Sequence, residues 1–206
     1  MYNILLQKEG SIGIMKNGLE VFPGIVMYEG IIDNCQELID LGVSNKEFWQ
    51  DSKIGGHLAE ETVDKNVRSN RLLHVPATYG NDIRWFGVSQ KIWQYANEYG
   101  KHYGASFSGM EYLQLLHYVP NEGFYQPHSD DGPGMTRTFS AILYLNDVEV
   151  GGETYFNRLD IAINPKAGRL IIFPANYVFM HEARPPQSND KFALVTWFRP
   201  ILGTKE

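Results

Sequence analysis

The hydrophobic pattern changes once along the chain, near residue 104. Before that point, short apolar segments broken by Gly10, Gly13, Gly18, Gly24 and Gly30 suit edge strands and turns, and two stretches of helical spacing follow them. The first predicted helix covers 33–41. Asp33 and Gln36 stand at capping-box separation, Leu38, Ile39 and Leu41 supply apolar positions, and Gly42 is the expected stop. The second is predicted over 81–99, with Phe86, Ser89, Trp93 and Ala96 as its core-facing side and Gly100 as terminator. Beyond Gly104 the period falls to two. Strands are predicted over 112–119, 138–145, 154–156, 170–173 and 192–198, with turns at 132–134, Gly151-Gly152 and 164–168. Two helices followed by many short strands predict an α+β, mainly β chain whose sheets close as a jelly roll or barrel, because closure hides strand edges.

Composition narrows the options. A length of 206 residues is about 1.4 times a typical domain of ~150, so one domain spanning 1–206 is expected. Acidic residues outnumber basic ones 24 to 18, a net charge of -6, which gives no electrostatic basis for nucleic-acid or anionic-membrane binding. No apolar stretch approaches the ~18 residues of a membrane span. The opening MYNILLQKEGSIG lacks the basic start of a signal peptide, so a soluble, unprocessed, cytoplasmic protein is expected. Cys35 is the only cysteine, which excludes an intrachain disulfide and a thiolate metal cluster.

The chemistry centres on His128-Ser129-Asp130, a spacing that turns both side chains to one side of a strand end. With six histidines and ten aspartates, one such pair arises by chance with a probability of roughly 0.3, so the motif needs company. His181 follows an apolar strand and a turn-rich stretch, and can return to the pair across a barrel. Two imidazoles and one carboxylate leave open positions on a metal, the arrangement of non-haem Fe(II) oxygenases. Zinc with the same ligands competes, although no HExxH is present. A second anchor separates the two metals. Lys191 opens the run KFALVTWFR on the same parity as Ala193, Val195 and Trp197, and an inward lysine on a buried strand requires an acidic partner.

Taken together, LQLLHYVPNEGFYQPHSD, TRTFSAILYLNDVEVGGETYF, GRLIIFP, His181 and KFALVTWFR resemble the prolyl 4-hydroxylase-type family of Fe(II)/2-oxoglutarate dioxygenases, over about 112–199. The earlier VRSNRLL resembles that family's mobile substrate loop. The resemblance implies a double-stranded β-helix, with supporting helices on one sheet, residues 1–104 in support and a catalytic core over about 105–200. It implies that His128, Asp130 and His181 bind iron and carry catalysis. Lys191 and Thr154 would hold the 2-oxoglutarate C5 carboxylate, and Tyr118 and Tyr144 would contact the same cosubstrate. Arg137 and Trp197 match residues at the substrate entrance. Arg68, in a 54–73 segment read as a lid, and Tyr125 are further candidate substrate contacts.

The implied reaction consumes O₂ and 2-oxoglutarate, releases succinate and CO₂, and hydroxylates proline in a peptide or protein. Ascorbate is a candidate accessory cofactor. The alternatives are a 2-oxoglutarate hydroxylase of another side chain or a free amino acid, and a non-catalytic metal-binding jelly-roll module.

Overall fold

The structure is a computed structural model and describes residues 18–55, 60–75, 82–132 and 136–201. Its elements run β1 (Gly18–Phe22), β2 (Ile25–Tyr28), α1 (Cys35–Val43), β3 (Gln50–Asp51), β4 (Arg68–Ser69), β5 (Arg71–His74) and α2 (Ile83–Tyr103). The second half contributes β6 (Gly109–Met110), β7 (Gln114–Tyr118), β8 (Phe124–His128), β9 (Phe139–Tyr144), β10 (Thr154–Phe156), β11 (Ile161–Ile163), β12 (Leu170–Pro174), β13 (His181–Ala183) and β14 (Lys191–Arg199). These form two antiparallel sheets. The major sheet has the order β1-β2-β12-β9-β14-β7-β5-β3, with β6 also paired to β14; the minor sheet has the order β11-β10-β13-β8-β4.

Side-chain alternation in the central strands gives the major sheet two different faces. Phe139, Ala141 and Leu143 of β9, Leu170 and Ile172 of β12, and Phe192, Leu194 and Phe198 of β14 pack in one core with Leu38 and Ile39 of α1 and Val88, Ile92 and Ala96 of α2. The intervening residues face the minor sheet. Tyr144, Ile171, Phe173 and Ala193 meet Phe156 and Ile163 there, while Leu116, Tyr118 and Val195 form a third cluster. Both faces of the strands being covered, their sequences read as near-continuous apolar runs. The result is a jelly roll with helices on one sheet, one of the two closures the strand pattern predicts and the one the family resemblance implies.

Several local expectations are corrected. The helix α1 is preceded by Asn34, not Asp33, and no side chain caps it. Gly42 lies inside this helix: a Cβ there would come within 2.3 Å of Leu115 Cδ2, so glycine permits the helix to rest closely on β7. Likewise α2 runs through Gly100 to Tyr103 and ends at Gly104, whose φ of 64° is the left-handed conformation glycine adopts freely. Its buried side is Trp85, Val88, Ile92, Ala96 and Tyr99. Phe86 is 59% exposed, because the adjacent Trp85 takes the core position and the stripe is rotated by one residue. Tyr112 precedes β7 and is exposed.

The end of the segment read as a lid, from Arg68 to Leu73, is bound into the sheets. β4 pairs with β8 of the minor sheet and β5 with β7 of the major sheet, so the chain crosses between sheets at Asn70. Asn70 donates to Ser52 Oγ at 2.9 Å, and both residues are buried. Upstream, Ile54 bridges to Thr62; residues 56–59 of that segment lie outside the described residues, as do 1–17 and Gly134 of the expected turn. Among the described residues no helix is long and apolar enough to cross a membrane.

Candidate active site

Between the sheets lies a cavity of about 260 Å³, and the lining includes every candidate residue named from the sequence except Tyr144, which sits behind it. At its inner wall His128, Asp130 and His181 each present a ligand atom, all within 4.8 Å of one another. Two strands of the minor sheet deliver the imidazoles. His128 ends β8 and pairs directly with His181, which opens β13. The pairing slips beyond them, so that Ala183 faces Tyr125. This bulge at Gln126-Pro127 places Tyr125 and His128, three residues apart, on the same side of the strand, and their rings stack at 3.6 Å and 19°.

Backbone carbonyls set the imidazole tautomers. The oxygens of Gln126 and Phe179 lie 2.9 Å and 3.1 Å from Nδ1 of His128 and His181; a carbonyl only accepts, so each Nδ1 carries the proton and each Nε2 keeps its lone pair for a metal. Those Nε2 atoms lie 3.7 Å from the Asp130 carboxylate oxygens. Burial and the neighbouring His181 push the His128 pKa far down, which keeps it neutral and able to ligate. Burial opposes ionisation of Asp130, but His181, His128, the Ser140 hydroxyl and Arg137 outweigh it, and its carboxyl is held below the ordinary range. Two imidazole nitrogens and one carboxylate are the donor set that suits ferrous iron with open positions.

Deeper in the cavity stands Lys191, 2% exposed. It is paired across the sheet with Tyr118, and its Nζ donates to Gly152 O at 2.6 Å. The ammonium lies 5.0 Å and 5.5 Å from the ring centres of Tyr118 and Tyr144. The acidic partner expected from the sequence is absent among the described side chains: no carboxylate forms an ion pair with Lys191. Burial accordingly lowers its pKa to about 7, with Glu153 acting weakly in the other direction. Beside it Tyr144 donates its hydroxyl hydrogen to Thr154 Oγ1 at 2.7 Å. A buried cation with a carbonyl, a threonine hydroxyl and aromatic faces around it fits a carboxylate guest.

Toward the mouth, Arg137 lies 3.7 Å over the Trp197 ring and is held in bidentate fashion by Glu111 at 3.1 and 2.8 Å. Arg68 lies 4.5 Å over Tyr125. Sequence reasoning missed several supporting residues. Ser140 donates to Asp130 Oδ2 at 2.6 Å, Glu111 fixes Arg137, and Gln126 supplies the carbonyl that orients His128. Of these, Ser140 was recoverable, since it shares strand parity with Tyr144; Glu111 precedes β7 and carries no local signal.

Residues 113–199 match the sequence profile of the 2OG-Fe(II) oxygenase superfamily. The matched segment is the part of the chain that carries the His-Asp-His cluster, and together with the jelly roll it supports a 2-oxoglutarate-dependent dioxygenase using iron. The chain is 23% identical to the "Putative prolyl 4-hydroxylase" of Acanthamoeba polyphaga mimivirus, covering 80% of this chain and 69% of that protein. Its fold matches a Trichoplax adhaerens prolyl hydroxylase in complex with a hypoxia inducible factor peptide fragment, with a TM-score of 0.73 at 16% identity over 86% of this chain and 84% of the other. It also matches a viral collagen prolyl hydroxylase from Paramecium Bursaria Chlorella virus-1 in complex with 2OG, with a TM-score of 0.64 at 21% identity over 86% and 96%.

Proposed function

We propose that this chain hydroxylates proline within a peptide or protein, coupled to conversion of 2-oxoglutarate and O₂ into succinate and CO₂. One observation carries the reading: a buried two-histidine, one-carboxylate cluster shares a cavity with a buried ammonium that has no carboxylate partner among the described residues. The relatives above favour proline as the substrate residue. Ferrous iron with 2-oxoglutarate supplies oxygen activation; the protein supplies positioning and a sheltered cavity.

In this proposal His128, Asp130 and His181 would hold the metal, which with the cosubstrate would supply the oxygen chemistry. Lys191 and Thr154 receive the distal carboxylate of 2-oxoglutarate, and Tyr118 and Tyr144 form the walls of that socket. Ser140 keeps the Asp130 carboxylate ionised and oriented. Arg137 and Trp197 form a flat, cationic and aromatic wall on which a peptide backbone and a pyrrolidine ring can lie, with Tyr125 and Arg68 opposite.

The test is a panel of proline-containing peptides beside free amino acids and peptides lacking proline, incubated with Fe(II), 2-oxoglutarate and O₂. A gain of one oxygen on peptidyl proline with stoichiometric succinate is expected. Oxidation confined to free amino acids or to another side chain would overturn the proline assignment.

A further inference from the structure

Among the described residues, most charges around the cavity are paired. Lys53 meets Glu61 at 3.3 Å, Asp51 meets Lys65 at 3.0 Å, Glu182 meets Arg184 at 3.2 Å and Arg137 meets Glu111 at 2.8 Å. Among the described residues, the lining cations left without a carboxylate partner are Lys191 and Arg68. Lys191 sits at the closed end, in the socket argued above for the cosubstrate. Arg68 sits at the mouth.

Arg68 is rigidly presented. Its Nε donates to Asn70 Oδ1 at 2.7 Å, and its Nη1 donates to the Lys53 carbonyl at 3.3 Å; neither acceptor is charged. Asn70 is in turn fixed by the buried Ser52 hydroxyl. The guanidinium rests on Tyr125, whose ring stacks on His128. A preorganised, half-buried guanidinium with neutral partners favours a carboxylate, which its planar fork can take in bidentate fashion. Only the Tyr125 ring separates this cation from the metal-ligating imidazole. At ~3.3–3.6 Å per extended residue, a carboxylate gripped there belongs to a residue close in sequence to the one being oxidised.

We propose that Arg68 binds a carboxylate of the substrate, so that the hydroxylated proline is flanked, within about two residues, by Asp, Glu or a free C-terminus. This rests on the peptide-hydroxylase reading, and the test keeps the two separable. Matched peptides carry Glu, Gln or Lys beside the proline, each with a free or amidated C-terminus. Binding is measured anaerobically with Fe(II) and 2-oxoglutarate present, and turnover is measured separately.

The wild-type protein is expected to prefer the Glu peptide over the Gln peptide by about 10- to 100-fold in Kd, the range of one charge-assisted pair. If the C-terminal carboxylate is the ligand, the same preference appears between free and amidated peptides instead. Arg68→Gln removes the preference, Arg68→Lys keeps part of it, and Arg68→Glu reverses it in favour of the Lys peptide. Equal binding of all peptides, or a preference unchanged in Arg68→Gln, overturns the inference. An Arg68→Gln variant that keeps the peptide preference but needs far more 2-oxoglutarate assigns Arg68 to the cosubstrate, and also overturns it. Charge-selective binding without oxidation of proline sinks the hydroxylase reading while leaving the carboxylate site standing; oxidation without charge selectivity does the reverse.

Discussion

Ser140 shows how much of the site depends on groups that touch no reactant. Its hydroxyl hydrogen points at Asp130 Oδ2, and it sits on β9 in register with Trp197 of β14. Replacing it with alanine leaves a buried carboxylate oxygen without its partner. Second-layer contacts of this kind are worth about 10- to 100-fold in metal affinity. Ser140→Ala is therefore expected to weaken Fe(II) binding by about tenfold in an anaerobic titration, and Ser140→Thr to restore it. Lys191 gives a pH prediction. Burial lowers its pKa to about 7 from 10.5, and a bound carboxylate restores the charge, so cosubstrate binding takes up a proton above pH 7. Affinity for 2-oxoglutarate should fall as pH rises from 7 to 9, by up to about tenfold per unit. Lys191→Arg, which stays charged throughout, should flatten that profile. The same shift means that the unfolded chain binds this proton more tightly between about pH 7 and 10.5, so the folding penalty of burying Lys191 shrinks as pH rises through that window.

Among the elements, β14 was the most legible in the sequence and β8 much less so. In KFALVTWFR the leading lysine marks the parity of an otherwise apolar run, and the odd positions Lys191, Ala193, Val195 and Trp197 do line the cavity. FYQPH gives no such pattern, because the bulge adds a residue and Pro127 interrupts the expected pairing, so the strand that delivers His128 could be read only as a strand end. The two-residue strands β3, β4 and β6 were invisible for a different reason: their register comes from distant partners, not from local propensity. Misplaced helix ends share one cause. Gly42 and Gly100 read as terminators, yet both serve close approach, Gly42 to Leu115 and Gly100 to the Ala105 carbonyl, and a single sequence does not distinguish the two uses of glycine. Gly42→Ala tests this directly. Leu115 is fully buried and has little room to yield, so a loss of about 1–3 kcal/mol in urea unfolding is expected, with the cavity side of β7 and cosubstrate affinity unaffected.

Across the molecule, the metal ligands lie apart from the principal core. His128, Asp130 and His181 belong to the minor sheet and its edge, whereas the largest cluster joins the major sheet to α1 and α2. Metal removal should therefore leave a folded protein. By mass action, a metal and cosubstrate each at saturating levels add stability: about 2.7 kcal/mol for one ligand at a hundred times its Kd, or roughly 5–10 °C for a chain of this size. Thermal unfolding with Mn(II) and 2-oxoglutarate should show that rise, a chelator should reverse it without precipitation, and His128→Ala should abolish it while keeping the apo midpoint. A midpoint indifferent to metal would count against the cluster as a metal site.

Because Lys191, Ala193, Val195 and Trp197 line the cavity while Phe192, Leu194 and Phe198 pack in the core shared with the helices, one strand separates two kinds of selection by position alone. Drift in substrate preference can proceed through alternate codons of a single short stretch while the intervening codons, held by the helical layer, keep the scaffold intact.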